Sequence, residues 1–210
     1  TNVKWLNNVD TTFIARENTY LVSSDTSIAE VIDSKVRVHS QTNRNNPNKT
    51  IVDFTIPTNT IKWTYWIGVG NEGQQAFKQD QANFSRSGTK IIGSINPLAG
   101  LAFGLITMTH ANVGENVKYY FMPTWEDVQK FKGGLVFKQF KNGNVVTDFG
   151  LMNYAANKNE KYYIGLENDN LMQGIDVNVK ILAVTVNNKY NTVTEKVPTY
   201  TNKSVPVNED

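Results

Sequence analysis

Hydrophobic and polar positions along this chain alternate with a period of two far more often than they recur every three or four residues, which marks strands rather than helices. The clearest run is 61–69. Ile61, Trp63, Tyr65, Ile67 and Val69 fall on one face there, against Lys62, Thr64, Trp66 and Gly68 on the other. Segments 11–22, 35–40 and 50–56 are rich in Thr, Val and Ile and read as strands too, with a polar turn at 43–48. Further strands are predicted at 117–122, 134–140, 145–152, 161–168 and 175–186. Asn142-Gly143 predicts a hairpin across 141–144, and 169–174 predicts a turn that pairs 161–168 with 175–186. In this last strand Ile175, Val177, Val179 and Ile181 alternate with polar residues. From Leu182 both faces are apolar, which predicts cover on both sides.

Helical signals are fewer. Segment 73–84 is polar and weakly amphipathic. In 95–110, Asn96 suits an N-cap and Pro97 the first helical position, and 98–108 is almost wholly apolar. Segment 124–132 opens with a Thr-x-x-Asp pattern, carries Glu126 and Asp127 in its first turn, and is followed by Gly133. The pattern as a whole predicts an all-β fold, a β-sandwich or barrel, of which a two-sheet antiparallel β-sandwich is expected here. It is expected as a single domain over 1–186, with a helical insertion at about 94–110 and a short helix at about 124–132. Residues 187–210 are polar and punctuated by proline, so they are expected as an extended tail.

Composition narrows the chemistry. The 210 residues include 27 Asn and 21 Thr, a bias toward side-chain-assisted turns and strands. Lys and Arg number 21 against 19 Asp and Glu, so no basic excess is available to displace counterions from nucleic acid. With no Cys, disulfide scaffolds, cysteine nucleophiles and thiolate metal sites are excluded, and two scattered histidines, His39 and His110, make no transition-metal set or Ser-His-Asp machine. Gly68-Val69-Gly70-Asn71-Glu72-Gly73 matches the G-x-G-x-x-G pattern, but the next candidate strand, 90–95, carries no carboxylate and the chain does not alternate β with α. The glycines are therefore expected to shape a turn leaving a strand, and no cofactor is expected. Glu167-Asn168-Asp169-Asn170 offers oxygen ligands to a hard cation but lacks the spacing of a calcium loop, which leaves ordinary turn chemistry and no metal. Gly100 and Gly104 lie in an apolar run too short to span a bilayer, so no transmembrane segment is expected and 98–108 is expected to pack on the sandwich, the alternative being an element that touches a partner or lipid. The aromatic residues on polar faces are the candidate ligand-binding positions: Trp66 opposite Trp63 and Tyr65, Tyr163 opposite Tyr162, and Trp125 at the start of a short helix.

Two blocks resemble a known module. Residues 52–65, Val-Asp-Phe-Thr-Ile-Pro-Thr-Asn-Thr-Ile-Lys-Trp-Thr-Tyr, are similar to the strand, turn and Trp-bearing strand of GOLD-type β-sandwiches. Lys161-Tyr162-Tyr163-Ile164-Gly165-Leu166-Glu167-Asn168 and the strand from Ile175 resemble their closing pair, although Glu160 or Lys161 stands where that family has glycine. Residues 35–186 are also similar to an uncharacterised family of exported bacterial proteins. The GOLD resemblance makes the expected sandwich jelly-roll or GOLD-like in type, and implies protein or lipid interaction without a catalytic set. The expectation is thus a non-enzymatic module exported to the periplasm, cell surface or extracellular space, which the opening Thr1-Asn2-Val3 without an initiator Met would also fit. Its partner would be a protein of the cell envelope. The alternative is a carbohydrate-binding module using Trp66, Trp125 or Tyr163, and a weaker one is a hydrolase with an unrecognised carboxylate pair.

Overall fold

The computed structural model describes residues 3–86, 96–111, 113–153 and 160–208. Among them are strands β1 (Val3–Val38), β2 (Lys49–Ile56), β3 (Thr60–Val69), β4 (Val117–Met122), β5 (Lys141–Val145), β6 (Thr147–Asn153), β7 (Glu160–Glu167) and β8 (Ile175–Asn208). The helices are α1 (Gly70–Arg86), α2 (Pro97–Ala102) and α3 (Trp125–Lys132). The strands form two four-stranded sheets in the orders β1-β8-β3-β6 and β2-β7-β4-β5. First pairs with last, second with seventh, third with sixth and fourth with fifth, so the chain is one long antiparallel ribbon rolled up with successive pairs in alternate sheets. That winding is the jelly roll, and the expected two-sheet antiparallel sandwich is present.

Two compact units divide the chain: Thr26–Asn187, and Thr1–Asp25 with Asn188–Asp210. The first is the sandwich. Between its sheets Phe54, Trp63, Tyr65, Tyr119 and Phe121 pack ring against ring, with centroids 5.0–6.5 Å apart where they touch. Trp63, Tyr65, Ile67 and Val69 face this core as the alternation predicts. Ile61 does not; the register of β3 against β8 shifts between Thr60 and Lys62, and the irregularity leaves Ile61 exposed. Leu182 and Val184 face the other side of their sheet, under α2, while Ile181 and Ala183 face the core, so this stretch of β8 is covered twice as expected.

Several elements depart from the sequence pattern. Residues 135–139 take no regular structure, and Asn142-Gly143 lies inside β5 rather than in a hairpin turn. Gly143 stands opposite Tyr119 of β4, and a Cβ there would come within 2.5 Å of the Tyr119 ring. The glycine makes room for a buried ring instead of bending the chain; Gly150 does the same opposite Tyr65. β7 and β8 belong to different sheets, so residues 169–174 cross between sheets and do not close a hairpin. Helix α2 has the expected Asn96 cap, its Oδ1 accepting from the Leu98 N–H at 3.0 Å, but ends at Ala102, short of 110. Gly104 is left-handed at φ +69, and Asp80 of α1 holds Thr109 by its N–H at 2.9 Å and its hydroxyl at 2.6 Å. The expected start of that insertion, 94–95, and the segment 90–95 lie outside the described residues. Finally, residues 188–208, expected as an extended tail beyond a single domain, continue β8 and form the second unit with residues of β1. Their alternation is weak because neither face is buried, so the period-two signal of a half-buried strand is missing.

Helix α3 shows how one carboxylate ties a cap to a loop. The Thr124 Oγ1 accepts from the Asp127 N–H at 3.2 Å, while the Asp127 carboxylate accepts from the Thr124 hydroxyl at 2.5 Å and the Lys138 N–H at 2.8 Å. These bonds, the Thr124 hydroxyl first, hold the Asp127 carboxyl below its ordinary value. A carboxyl lowered on folding stabilises the fold above its unfolded value of about 4, and that stabilisation is lost as pH falls through the lower folded value. Replacing Asp127 with Asn is therefore expected to flatten the acid limb of a stability–pH profile measured by urea unfolding between about pH 5 and 2. An unchanged limb would show that the cap does not contribute.

Candidate interaction surfaces

Of the three aromatic candidates, Trp66 is not available to a ligand. Its side chain points to the outer face of its sheet, as the alternation requires, but it is fully buried beneath Phe77 of α1 and the Leu98, Ala99 and Ala102 of α2. Gly68 lies under the indole, where a Cβ would fall 2.2 Å from it, and Gly73 brings α1 so close to β3 that a Cβ would meet the Gly68 backbone at 2.7 Å. The three glycines of the G-x-G-x-x-G stretch thus serve ring packing and helix–strand approach, with Gly70 opening α1 at φ +62. β3 lies between antiparallel neighbours, β8 and β6, so no parallel βαβ unit surrounds them.

Trp125 and Tyr163 do come together. Trp125 is exposed at the start of α3, and its ring lies 5.6 Å from that of half-buried Tyr163 on β7. Lys132 sits over Trp125 and Lys161 over Tyr163. The rings meet at 53°, so they form a ridge rather than the coplanar platform on which a sugar ring stacks. The turn at 167–170 is consumed by its own bonds. Asn168 is buried and donates to the carbonyls of Val38, His39 and Gln173, Asp169 pairs with Lys118 at 3.0 Å, and Asn170 donates to Glu115. His110 stacks on Phe149 at 4.4 Å, and His39 lies 3.4 Å from the Asn43 amide. Among the described residues no group of acidic and histidine side chains is arranged to hold a metal ion.

A groove of about 690 Å³ opens on the sandwich between α1, α2 and the sheet of β1 and β8, lined by Trp66, Phe77, Lys78, Asn96, Asn178 and Lys180 among others. Lys180 bonds Asp33 and lies over the Phe77 ring, so its charge is already matched.

The second unit joins two segments that the sequence reading kept apart, the strand at 11–22 and the extended tail at 187–210. Residues 3–25 and 188–208 form a two-stranded ribbon held by cross-strand side-chain bonds: Thr19 to Thr192 at 3.1 Å, Asn7 to Ser204 at 3.0 Å, and Asn18 and Tyr20 to the two oxygens of Glu195 at 2.7 and 3.0 Å. No described side chain of this unit is buried, and all but Asn18, Ser23 and Val197 are exposed. Trp5 is 64% exposed, Phe13 64% and Tyr200 68%. The bonded pairs put odd-numbered residues of β1 on the same face as even-numbered residues of β8, so Trp5, Val9, Phe13 and Leu21 share a face with Tyr190 and Tyr200. Leu6, Ile14, Tyr20 and Val22 line the opposite face and are exposed as well. A two-stranded ribbon is marginal in water, and this one leaves its largest apolar groups wet on both sides. The signal available in the sequence was the recurrence of Trp, Phe, Leu and Tyr in segments too polar to build a core. The chain matches no known family, and no curated protein or solved structure was found to be similar to it.

No described helix is long and apolar enough to cross a membrane.

Proposed function

We propose that this chain is a non-enzymatic interaction module, exported to the cell envelope, that binds another protein through the ribbon of residues 3–25 and 188–208. The observation that carries this reading is the exposure of aromatic and aliphatic side chains on both faces of a ribbon none of whose described side chains is buried. Such groups become favourable only when a second surface removes them from water, at about 25 cal/mol for each Å² covered. The sandwich supports the same reading by its filled interior, where the space between the sheets is taken up by aromatic rings. The resemblance of 52–65 and 161–168 to GOLD-type modules, and of 35–186 to exported bacterial proteins, supports the interaction role and the export.

Capture from a native envelope fraction tests it. The wild-type chain is expected to retain a protein at near-equal stoichiometry, and the Trp5→Ser, Tyr200→Ser double variant to lose it while keeping its fold by circular dichroism. Equal retention by both chains would overturn the ribbon as the binding element. Binding on a glycan array with no protein captured would favour the carbohydrate reading at Trp125 and Tyr163.

A further inference from the structure

The ribbon has two outer edges, and they differ. β1 is the end strand in the order β1-β8-β3-β6, so one row of its N–H and C=O groups faces away from β8. Over residues 3–25 that row contains neither proline nor glycine. Residues 188–208 of β8 contain Pro198 and Pro206, and a strand accepts proline where its nitrogen faces away from the ladder. The same stretch carries Lys189, Lys196 and Lys203, which disfavour an added strand. Proline therefore guards one edge and not the other, and the charges along the β1 edge, among them Asp10 and Arg16, are ones that an added strand must match.

What fits the open edge is written in its own side chains. Laying a second copy antiparallel along it, with Phe13 opposite Phe13, places Asp10 opposite Arg16 twice, three residues to either side of the axis. Trp5 then faces Leu21, Leu6 faces Tyr20, Asn8 faces Asn18 and Thr11 faces Ala15. No like charges meet, since Lys4 falls opposite Val22 and Glu17 opposite Val9. Directly opposed charges and aromatic–aliphatic pairs are what stabilise antiparallel neighbours. Within its own chain, among the described residues, neither Asp10 nor Arg16 has an ion-pair partner. A strand paired with itself about a two-fold axis is also the simplest closed assembly, since the same patch serves both partners.

We propose that the chain dimerises by antiparallel pairing of residues 4–22 of β1 with the same residues of a second copy, about a two-fold axis at Phe13. The product is a four-stranded ribbon with β8 of each copy outermost, and it doubles the apolar face offered to the partner protein. The inference rests on reading the ribbon as a binding element, and it adds a second copy as the occupant of the edge.

The absence of cysteine makes the test direct. Opposed Cα atoms in an antiparallel pair lie about 4.5–5.5 Å apart, within disulfide reach. Full-length Phe13→Cys is therefore expected to form an intermolecular disulfide under mild oxidation. Thr19→Cys is expected to stay uncrosslinked, because the two copies of position 19 would lie twelve residues apart along the strands, about 40 Å. Sedimentation equilibrium of the wild type is expected to give a dimer. Asp10→Arg should weaken it about tenfold or more by setting like charges opposite each other, and Asp10→Arg with Arg16→Asp should restore it. A monomeric wild type, equal crosslinking of both cysteine variants, or failure of the double swap to rescue would overturn the proposal. A monomer that still captures its protein through Trp5 and Tyr200 would refute self-pairing alone; unchanged capture by the double serine variant would refute the reading beneath it.

Discussion

Replacing Trp66 with alanine is expected to lower the free energy of unfolding by about 3–5 kcal/mol, a large share of the roughly 5–15 kcal/mol that holds a domain folded. The indole is fully buried on the outer face of its sheet and is the contact between β3, α1 and α2: Phe77 lies 4.8 Å from it, and Leu98, Ala99, Ala102, Leu182 and Val184 complete the cluster. Relaxation cannot close the cavity easily, because Gly68 beneath the ring has no side chain to move into it. Trp66→Phe is expected to cost less than half as much. It keeps most of the ring and removes the Nε1 donor, which is buried without a hydrogen-bond partner among the described residues. Urea denaturation followed by far-ultraviolet circular dichroism distinguishes the two variants. A Trp66→Ala midpoint equal to that of the wild type would mean that the helices do not depend on this ring.

Asp148→Ala is expected to cost about 2–4 kcal/mol, since it removes the charged acceptor shared by two buried phenols. The Tyr65 hydroxyl donates to the Asp148 carboxylate at 2.9 Å, the Tyr119 hydroxyl donates to the same oxygen, and Lys141 lies 3.6 Å away. Both phenols sit in the aromatic core, where burial above all, and then their hydrogen bonds, push their ionisation well above the ordinary tyrosine range. Raised pKa values favour the folded state below the unfolded value of about 10, and that advantage is lost as pH rises and the unfolded tyrosines ionise. Adding Tyr65→Phe and Tyr119→Phe to Asp148→Ala is expected to recover part of the loss, because no unpaired hydroxyl then remains in the core. Thermal or urea unfolding of the single and triple variants checks this, and equal losses in both would show that unpaired phenols are not the cause.

The legible part of the fold was the part with one buried face. Trp63, Tyr65, Ile67 and Val69 announce their core face by spacing alone, and Thr124 and Asn96 announce their caps by residue type. Where both faces have the same environment, the pattern carries no information. Trp66 looked like an exposed aromatic because its neighbours Lys62 and Thr64 are polar, yet the cover comes from Phe77 of α1 and from α2 farther along the chain, which no local spacing records. Asn142-Gly143 looked like a turn because the ring that needs the glycine, Tyr119, is distant in sequence. The ribbon was legible only in part: the Thr, Val and Ile content of 11–22 marks a strand there, while 188–208, wet on both faces, alternate too weakly to mark theirs. Trp125 is exposed while Tyr163 is half-buried against the Met122, Val128 and Phe131 cluster, and the approach of the two rings across β7 and α3 depends on tertiary packing.

Pairing the first strand with the last has a cost during synthesis. Residues 3–25 are synthesised long before their partners at 188–208, with the whole sandwich unit between them. Loop closure over the intervening residues 26–187 must precede that pairing, which places this fold among slow, high-contact-order topologies. Throughout elongation Trp5, Phe13 and Tyr20 belong to a nascent segment that cannot yet have found its own β8, and the open edge of β1 is then at its most vulnerable to wrong company.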